Sequence, residues 1–205
     1  MGRTSDARER LMTAALELIW GESYGAVTID DICQRAAVKK GSFYYFFDSK
    51  SDLAIAALDR LWIEQWRPQL DAQFSPVIEP LQRIVNYLGI IYQLQAEYKN
   101  KSGRVLGCPI CSVGSEMSTQ DEKLGAKVRE ICGSKRRYFE SAVRDAVVTK
   151  AIEPCDPIEK ANGLIGLIEG VVTHGRIMND TEVMRSLPAM ALDFLRVRSE
   201  AGAPK

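Results

Sequence analysis

Residues 24–50 contain the signals for two short helices that meet at a tight corner. Thr28 is followed three positions later by Asp31, and this spacing is that of a capping box, which begins a helix. The run Ala36-Ala37-Val38 then supplies the small side chains that two helices need when they meet at a steep angle. We therefore expect one helix to begin after Thr28 and a second to cover about Lys39–Phe46.

The second of these helices combines basic, small and aromatic side chains. Phe43 and Phe46 can point inward, and Gly41 allows the backbone to come close to a neighbouring surface. A helix of this kind is typical of proteins that read the major groove of DNA. The alternative is an ordinary helical hairpin with a solvated basic face. The DNA contacts predicted by the first interpretation are Thr28, Lys39, Lys40, Gly41, Ser42, Tyr44, Tyr45 and Lys50.

The distribution of charge agrees with a local DNA contact. The whole chain has 27 basic and 27 acidic side chains, and residues 1–60 have 8 basic against 9 acidic, a net charge of −1. Residues 33–50 have four basic side chains against one acidic, a net charge of +3. Positive charge is thus concentrated where a duplex would lie, which predicts salt-sensitive binding through few phosphate contacts.

This stretch resembles the TetR/AcrR family of bacterial transcriptional repressors. The resemblance is carried mainly by Val27-Thr28-Ile29, Lys40-Gly41-Ser42-Phe43-Tyr44 and Ser49-Lys50. Three residues depart from the family pattern. Ala37 stands where glycine is usual, Lys39 where a helix-capping serine is common, and Asp48 where proline is common.

The resemblance implies an all-α protein with two domains. Residues 1–49 would form a three-helix helix-turn-helix DNA-binding domain, and residues 50–205 a helical ligand-binding and dimerisation domain. The remaining sequence agrees, because it shows helical spacing and no alternating strands. Helices are expected at about Ser5–Trp20, Lys50–Trp66, Leu81–Glu97, Asp121–Thr149, Pro157–Met178 and Glu182–Val197, with a short one from near Cys108. Pro68 should end or kink its helix, and Asn100–Gly103 should form a turn.

Composition places the chain among globular proteins. Apolar residues make up 46% of the chain, which is enough for a buried core. The longest apolar stretch, Leu164–Val172, is interrupted by Glu169 and is too short to span a bilayer. The first residues, Met1–Asp6, lack the apolar segment of a signal peptide, so a cytoplasmic location is expected.

One predicted helix, Pro157–Met178, carries small residues on a single stripe. Glycine lowers helix stability, so such a stripe indicates close approach by another helix. In the TetR/AcrR family the last two helices of each subunit form the dimer interface, although packing within one subunit is the alternative. A homodimer would read a palindromic operator. The interface residues predicted on this basis are Gly163, Gly166, Gly170 and Thr173.

The chain has five cysteines, at positions 33, 108, 111, 132 and 155. Cys108 and Cys111 form a C-x-x-C, but zinc is not expected, because no second pair follows at suitable spacing and His174 is the single histidine. Pro109 places Cys108 near a helix N-terminus, where a thiolate is stabilised. The segment from Gly107-Cys108 to Ser115-Glu116 also resembles a TetR subgroup in which, in some members, a cysteine at this position is a redox or electrophile sensor. This resemblance implies a thiol sensor at Cys108, with Cys111 as its resolving partner, and the alternative is a small packing residue. Cys132 is expected in or near the core.

A small-molecule pocket in the C-terminal domain is implied by the resemblance alone. For each candidate lining residue the alternative is core packing, and His174 in particular is more typical of a core histidine. Few of the candidates are charged, which favours an apolar, aromatic or electrophilic effector. The candidates are Trp62, Trp66, Tyr87, Tyr92, Cys108, Met117, Phe139, His174 and Met178.

The sequence therefore predicts an effector-responsive transcriptional regulator, a homodimer that binds operator DNA without a cofactor or an enzymatic activity. Two other classes stay open. One is a thiol-dependent oxidoreductase that uses Cys108 and Cys111. The other is a helical binding protein that does not bind DNA.

Overall fold

A computed structural model describes residues 2–197 of the chain. Within these residues the regular structure is helical, and the one strand-like pairing is an isolated antiparallel bridge between Ile152 and Val197. The prediction of an all-α fold is confirmed. No helix in the described part of the chain is long and apolar enough to cross a membrane. The tail Ala201–Lys205, which the sequence predicts to fray, lies outside the described residues.

The helices are numbered here in chain order. A π-helical turn, Trp62–Trp66, joins α4 to α5, and a short 3-10 turn, Glu182–Met184, precedes α10. The helices are α1 Gly2–Gly21, α2 Ile29–Ala36, α3 Lys40–Phe46, α4 Lys50–Leu61, α5 Arg67–Gln73, α6 Pro80–Ser102, α7 Pro109–Met117, α8 Glu122–Val148, α9 Pro157–Met178 and α10 Leu187–Leu195.

Some predicted helix ends differ from the structure, and the predicted helix Glu182–Val197 is divided into the 3-10 turn Glu182–Met184 and α10, Leu187–Leu195. The sequence predicts that the helix from Lys50 runs to about Trp66 and that Pro68 ends or kinks it. In the structure α4 ends at Leu61, the π-helical turn Trp62–Trp66 follows, and α5 continues through Pro68 to Gln73. A proline ring clashes with the carbonyl group four residues earlier, and a widened turn gives that clash room. The turn predicted at Asn100–Gly103 is helical up to Ser102, and Gly103 ends α6 at a φ of 72°.

The chain forms two compact units. Unit 1 comprises Met1–Pro68 and Cys108–Cys132, and unit 2 comprises Gln69–Gly107 and Gly133–Lys205. Each unit has its own apolar core. Leu11, Ile32, Phe43 and Leu53 are fully buried in unit 1, and Ile84, Phe139, Leu164 and Ala191 in unit 2. The functional division at residues 49 and 50 stays a prediction.

Candidate nucleic-acid interface

The capping box that begins α2 is present in the structure. The Thr28 hydroxyl oxygen accepts a hydrogen bond from the Asp31 N–H at 3.1 Å, and the Asp31 carboxylate accepts one from the Thr28 N–H at 2.8 Å. These two bonds satisfy amide groups that a helix N-terminus leaves without partners. The N-terminal end of α2 is therefore fixed and presents Thr28 on the surface.

The corner between α2 and α3 is made by Ala37 in the left-handed conformation, with φ 52° and ψ 47°. Its N–H bonds to the Gln34 carbonyl oxygen, and the Val38 N–H bonds to the Cys33 carbonyl oxygen at 2.9 Å. These bonds close the C-terminus of α2 and turn the chain into α3. The departure from glycine noted in the sequence thus falls on a backbone conformation that favours glycine.

Ala37→Gly should stabilise the protein by about 0.5–1 kcal/mol, because an L residue costs about 1–2 kcal/mol in the left-handed region and glycine recovers part of this. A matched control is Ala36→Gly one residue earlier, inside α2, which should destabilise by about 1 kcal/mol. Thermal unfolding followed by circular dichroism measures both. Equal loss of stability in the two variants would contradict the assigned strain at Ala37.

The exposed face of α3 is built on a buried aromatic anchor. Phe43 is fully buried and packs edge-on against Tyr44, with ring centroids 5.1 Å apart. Tyr44 and Tyr45 are 52% and 74% exposed, which is unusual for side chains of their size. A Cβ atom added at Gly41 would have no heavy atom within 4 Å. This surface of α3 can therefore take a closely approaching partner without rearrangement.

The positive charge of residues 33–50 is smaller than the sequence count indicates. The Lys40 ammonium lies 2.8 Å from the Asp30 carboxylate, and the Arg35 guanidinium lies 2.8 Å from the Glu17 carboxylate. Both acids lie outside residues 33–50 in the sequence, and the fold places them beside Lys40 and Arg35. Lys39 is exposed and makes no ion pair with any described residue. Lys39 can therefore bind a phosphate without first breaking an ion pair with a carboxylate.

Lys50 has internal partners that the sequence analysis did not predict. Its ammonium donates to the carbonyl oxygens of Tyr24 and Val27 at 2.8 Å each, and lies 4.1 Å from the centre of the Tyr24 ring. Burial lowers the pKa of Lys50. The side chain thus holds the loop between α1 and α2, and its phosphate contact stays a prediction.

Glu116, near the end of α7, is a second residue whose role was missed. Its carboxylate oxygens accept hydrogen bonds from the N–H groups of Tyr24 and Gly25 at 3.0 and 2.7 Å. The bonded residues are more than 90 positions apart. No local sequence signal connects them, so the pairing becomes visible only in the folded unit.

Two family models match this chain. Residues 11–57 match the bacterial regulatory proteins of the tetR family, and residues 80–190, more than half of the chain, match the tetracyclin repressor-like C-terminal domain. The chain belongs to the TetR family. It is therefore a ligand-responsive, DNA-binding transcriptional regulator. The segment matched by the first of these models begins within α1 and ends within α4, and it includes the exposed surface of α3.

Relatives and solved structures agree with this assignment. An uncharacterized HTH-type transcriptional regulator from Lactococcus lactis, encoded in the lacX 3′ region, is 26% identical over 88% of this chain and 89% of its own length. The repressor NemR from Escherichia coli is 21% identical over 88% and 89%. The crystal structure of reduced NemR superposes with a TM-score of 0.80 over 96% of this chain and all of that one. A TetR-family regulator from Agrobacterium tumefaciens, 16% identical, has a TM-score of 0.84 over 95% of this chain and all of its own.

The cysteines of this TetR-family regulator form no disulfide within the described residues. Cys108 is the N-cap residue of α7, as predicted, and both Cys108 and Cys111 are half-buried. Cys33 is buried, and burial raises the pKa of its thiol. The prediction that Cys132 lies in or near the core is wrong, because the residue is exposed. Ile131 occupies the inward position of α8, and the next residue lies about 100° further round the helix.

The predicted pocket residues are divided between the two units of the regulator. Trp62 is buried and Trp66, Cys108 and Met117 are half-buried in unit 1. In unit 2, Tyr87 and Phe139 are buried and Tyr92 is half-buried. His174 and Met178 are exposed on α9, so the interpretation of His174 as a core histidine is wrong.

The buried aromatic cluster of unit 2 contains charge as well as rings. The Phe74 and Phe139 ring centroids are 5.0 Å apart, and Tyr87 packs edge-on against both. The Lys135 ammonium lies 5.8 Å from the centre of the Tyr87 ring and donates to the Glu169 carboxylate at 2.6 Å. The sequence analysis missed this ion pair, whose partners lie on different helices. A ligand that packed against these rings would therefore also lie near the Lys135 ammonium.

The small-residue stripe of α9 divides into two parts. At Gly163 an added Cβ would lie 2.5 Å from the Phe194 ring of α10, so this glycine accommodates a side chain of its own subunit. At Gly166 and Gly170 nothing lies within 4 Å, and Thr173 is exposed. The last turn of α9 also exposes Ile177, at 72%. The part of the stripe formed by Gly166, Gly170 and Thr173 is therefore not covered by other described side chains of the subunit.

Proposed function

We propose that this regulator is a repressor that binds a palindromic operator as a homodimer through α3. The observation that carries the proposal is the exposed α3 surface, in which Tyr44 and Tyr45 stand in solvent beside Lys39 and the open backbone at Gly41. Side chains in these positions of a helix-turn-helix reach base edges and phosphates. Because the chain is a transcriptional regulator, we also propose that it works in the cytoplasm and catalyses no reaction.

The contacts divide by chemistry. Thr28, with the N-terminus of α2, suits a phosphate oxygen once its hydroxyl, which donates to the Asp31 carboxylate at 2.6 Å, turns to the DNA, because helix N-termini attract anions. Lys39 suits a phosphate directly, and Lys40 suits one after exchange of Asp30 for DNA. Tyr44 and Tyr45 suit base edges or sugars in the groove. Ser42 is half-buried and has a smaller reach.

The proposed dimer uses the open part of the α9 stripe. Gly166, Gly170 and Thr173 leave room for the backbone of a second helix, and the exposed apolar side chains of α9 and α10 add area that would be buried on association. These side chains include Ile177, Met190 and Phe194. Gly163 is left out of the proposed interface, since Phe194 of the same subunit fills its space.

Release from DNA is proposed to follow from a small effector or from modification of Cys108. The thiol lies at the N-cap position of α7 and is half-buried, so it is partly open to a small electrophile. The relative NemR is named a repressor, and its solved structure is a reduced form, which supports a redox-sensitive mechanism as a proposal. An effector acts only through different affinity for the DNA-competent and incompetent states.

If Cys108 is the sensor, its replacement should abolish release from DNA by a thiol-modifying reagent. N-ethylmaleimide should lower operator affinity of the unaltered protein by about 5-fold or more, and that of Cys108→Ser by less than about 2-fold. Cys132→Ser is the matched control, because Cys132 is exposed and on another helix, and it should respond like the unaltered protein. The measurement is a gel shift with the DNA that flanks the regulator's own gene. Equal release of Cys108→Ser and the unaltered protein would rule out Cys108 as the sensor.

A further inference from the structure

The loop between α1 and α2 is held by one charged side chain of each sign. The Glu116 carboxylate of α7 accepts from the N–H groups of Tyr24 and Gly25, and the Lys50 ammonium of α4 donates to the carbonyl oxygens of Tyr24 and Val27. All four distances lie between 2.7 and 3.0 Å. Glu116 and Lys50 are called the charged clamp below. Hydrogen bonds of this kind, to an ionised group, are the strong ones in proteins.

The clamp leaves the loop little freedom. Tyr24 is buried, with its ring below the Lys50 ammonium. An added Cβ at Gly25 would lie 2.7 Å from Glu116 Oε1, so the carboxylate occupies the space of that missing side chain. The loop then ends at Thr28, the N-cap of α2, and α2 leads through the Ala37 corner into α3. A displacement of Glu116 would consequently move the start of the whole reading segment.

We propose that Glu116 is a positioning residue for operator binding, and that its carboxylate holds α2 and α3 in the DNA-competent orientation relative to α7. Glu116 is the penultimate residue of α7, and Cys108 is the N-cap of the same helix. The two residues are eight positions apart, which is about 12 Å along a helix. The clamp thus supplies a physical link from the thiol to α3, and this last step rests on the proposed function of Cys108.

The test compares Glu116→Gln with Glu122→Gln in the full chain. Both remove one negative charge from unit 1, and Glu122 is paired only at the surface, with Arg129 at 2.6 Å. Loss of a negative charge alone favours binding to DNA. Glu116→Gln should nevertheless lower operator affinity, by about 10-fold. The two N–H groups bond to different carboxylate oxygens, and in glutamine one of these oxygens becomes an NH2 group, which cannot accept. Glu122→Gln should bind at least as tightly as the unaltered protein.

Two further readouts separate positioning from a general loss of structure. Hydrogen exchange at the amides of Tyr24 and Gly25 should become faster in Glu116→Gln, while the core helices keep their protection. The slope of log affinity against log salt should not change, because Glu116 meets no phosphate. Gly25→Ala should also weaken binding with all charges kept, because its Cβ displaces the carboxylate.

The results of these experiments distinguish failure of the Glu116 positioning role from failure of the proposed α3 contact. Unchanged operator affinity in Glu116→Gln, or loss of protection across every helix, would overturn the positioning role. The proposed α3 contact is tested separately by Lys39→Ala, so a fall in affinity for Glu116→Gln without one for Lys39→Ala would contradict the α3 assignment alone. For the link to Cys108, N-ethylmaleimide should release the unaltered protein but change Glu116→Gln affinity much less.

Discussion

A full-length variant with Gly166→Leu and Gly170→Leu should be a monomer and should lose operator affinity by more than about 100-fold. Within one subunit both positions are open, since an added Cβ meets nothing within 4 Å. Leucine also favours a helix over glycine, by about 0.5–1 kcal/mol at each position. The subunit should therefore keep or gain stability while losing the close approach of a second α9.

The large effect on DNA follows from the two-fold arrangement. A dimer presents two copies of α3 at a fixed spacing, so the second half-site is bound at a high effective concentration. A monomer retains only the weak contact of one α3. Light scattering gives the oligomeric state, and a gel shift gives the affinity. Gly89→Leu is the control, because this glycine of α6 is equally open in the subunit and lies outside the proposed interface. A dimeric double variant with unchanged affinity would refute the interface.

Lys39→Ala should lower operator affinity by about 10- to 100-fold, because the same phosphate contact is lost in both half-sites. Lys39 is a better residue than Lys40 for testing this phosphate contact, because the Lys40 ammonium is already paired with Asp30 at 2.8 Å. The slope of log affinity against log salt should become shallower by about 2, one phosphate for each subunit.

The control for this prediction is Lys101→Ala. Lys101 lies in the last turn of α6 and has a 75% exposed side chain, so its removal changes the net charge by the same amount away from α3. It should leave affinity and salt slope nearly unchanged. If both variants lost affinity equally, the effect would be one of overall charge and the contact assigned to Lys39 would be wrong.

Local signals in the sequence predicted the helices and the type of surface. The Thr28–Asp31 box and the α9 bounds Pro157–Met178 agree with the structure, because caps and prolines act on their immediate neighbours. Pro68 does not end the helical path, and the irregularity expected around a proline takes the form of the π-helical turn before it. Cys132 was predicted to lie in or near the core, but the buried position is that of its neighbour Ile131.

The electrostatics of the site could not be predicted in the same way. Lys40 and Arg35 looked available in a local count, yet α2 and α1 bring Asp30 and Glu17 to them. Glu116 lies more than 90 residues from the loop it holds. Such pairings depend on which helices become neighbours, and a single sequence contains no local signal for that choice. The sequence therefore predicted the basic and aromatic character of α3 but not the ion pairs of Lys40 and Arg35 or the support that Glu116 gives to the preceding loop.

The central claim is that α3 faces the operator, and site-specific crosslinking tests it most directly. A photoreactive phenylalanine derivative replaces Tyr45 of α3 in one variant and Val148 of α8 in a second, since the two side chains are 74% and 76% exposed. Each full-length protein is irradiated with a DNA fragment from beside its own gene that the unaltered protein shifts. We expect a protein–DNA crosslink from position 45 and none from position 148. A crosslink from position 148 with none from position 45 would contradict the assignment of α3 as the reading helix.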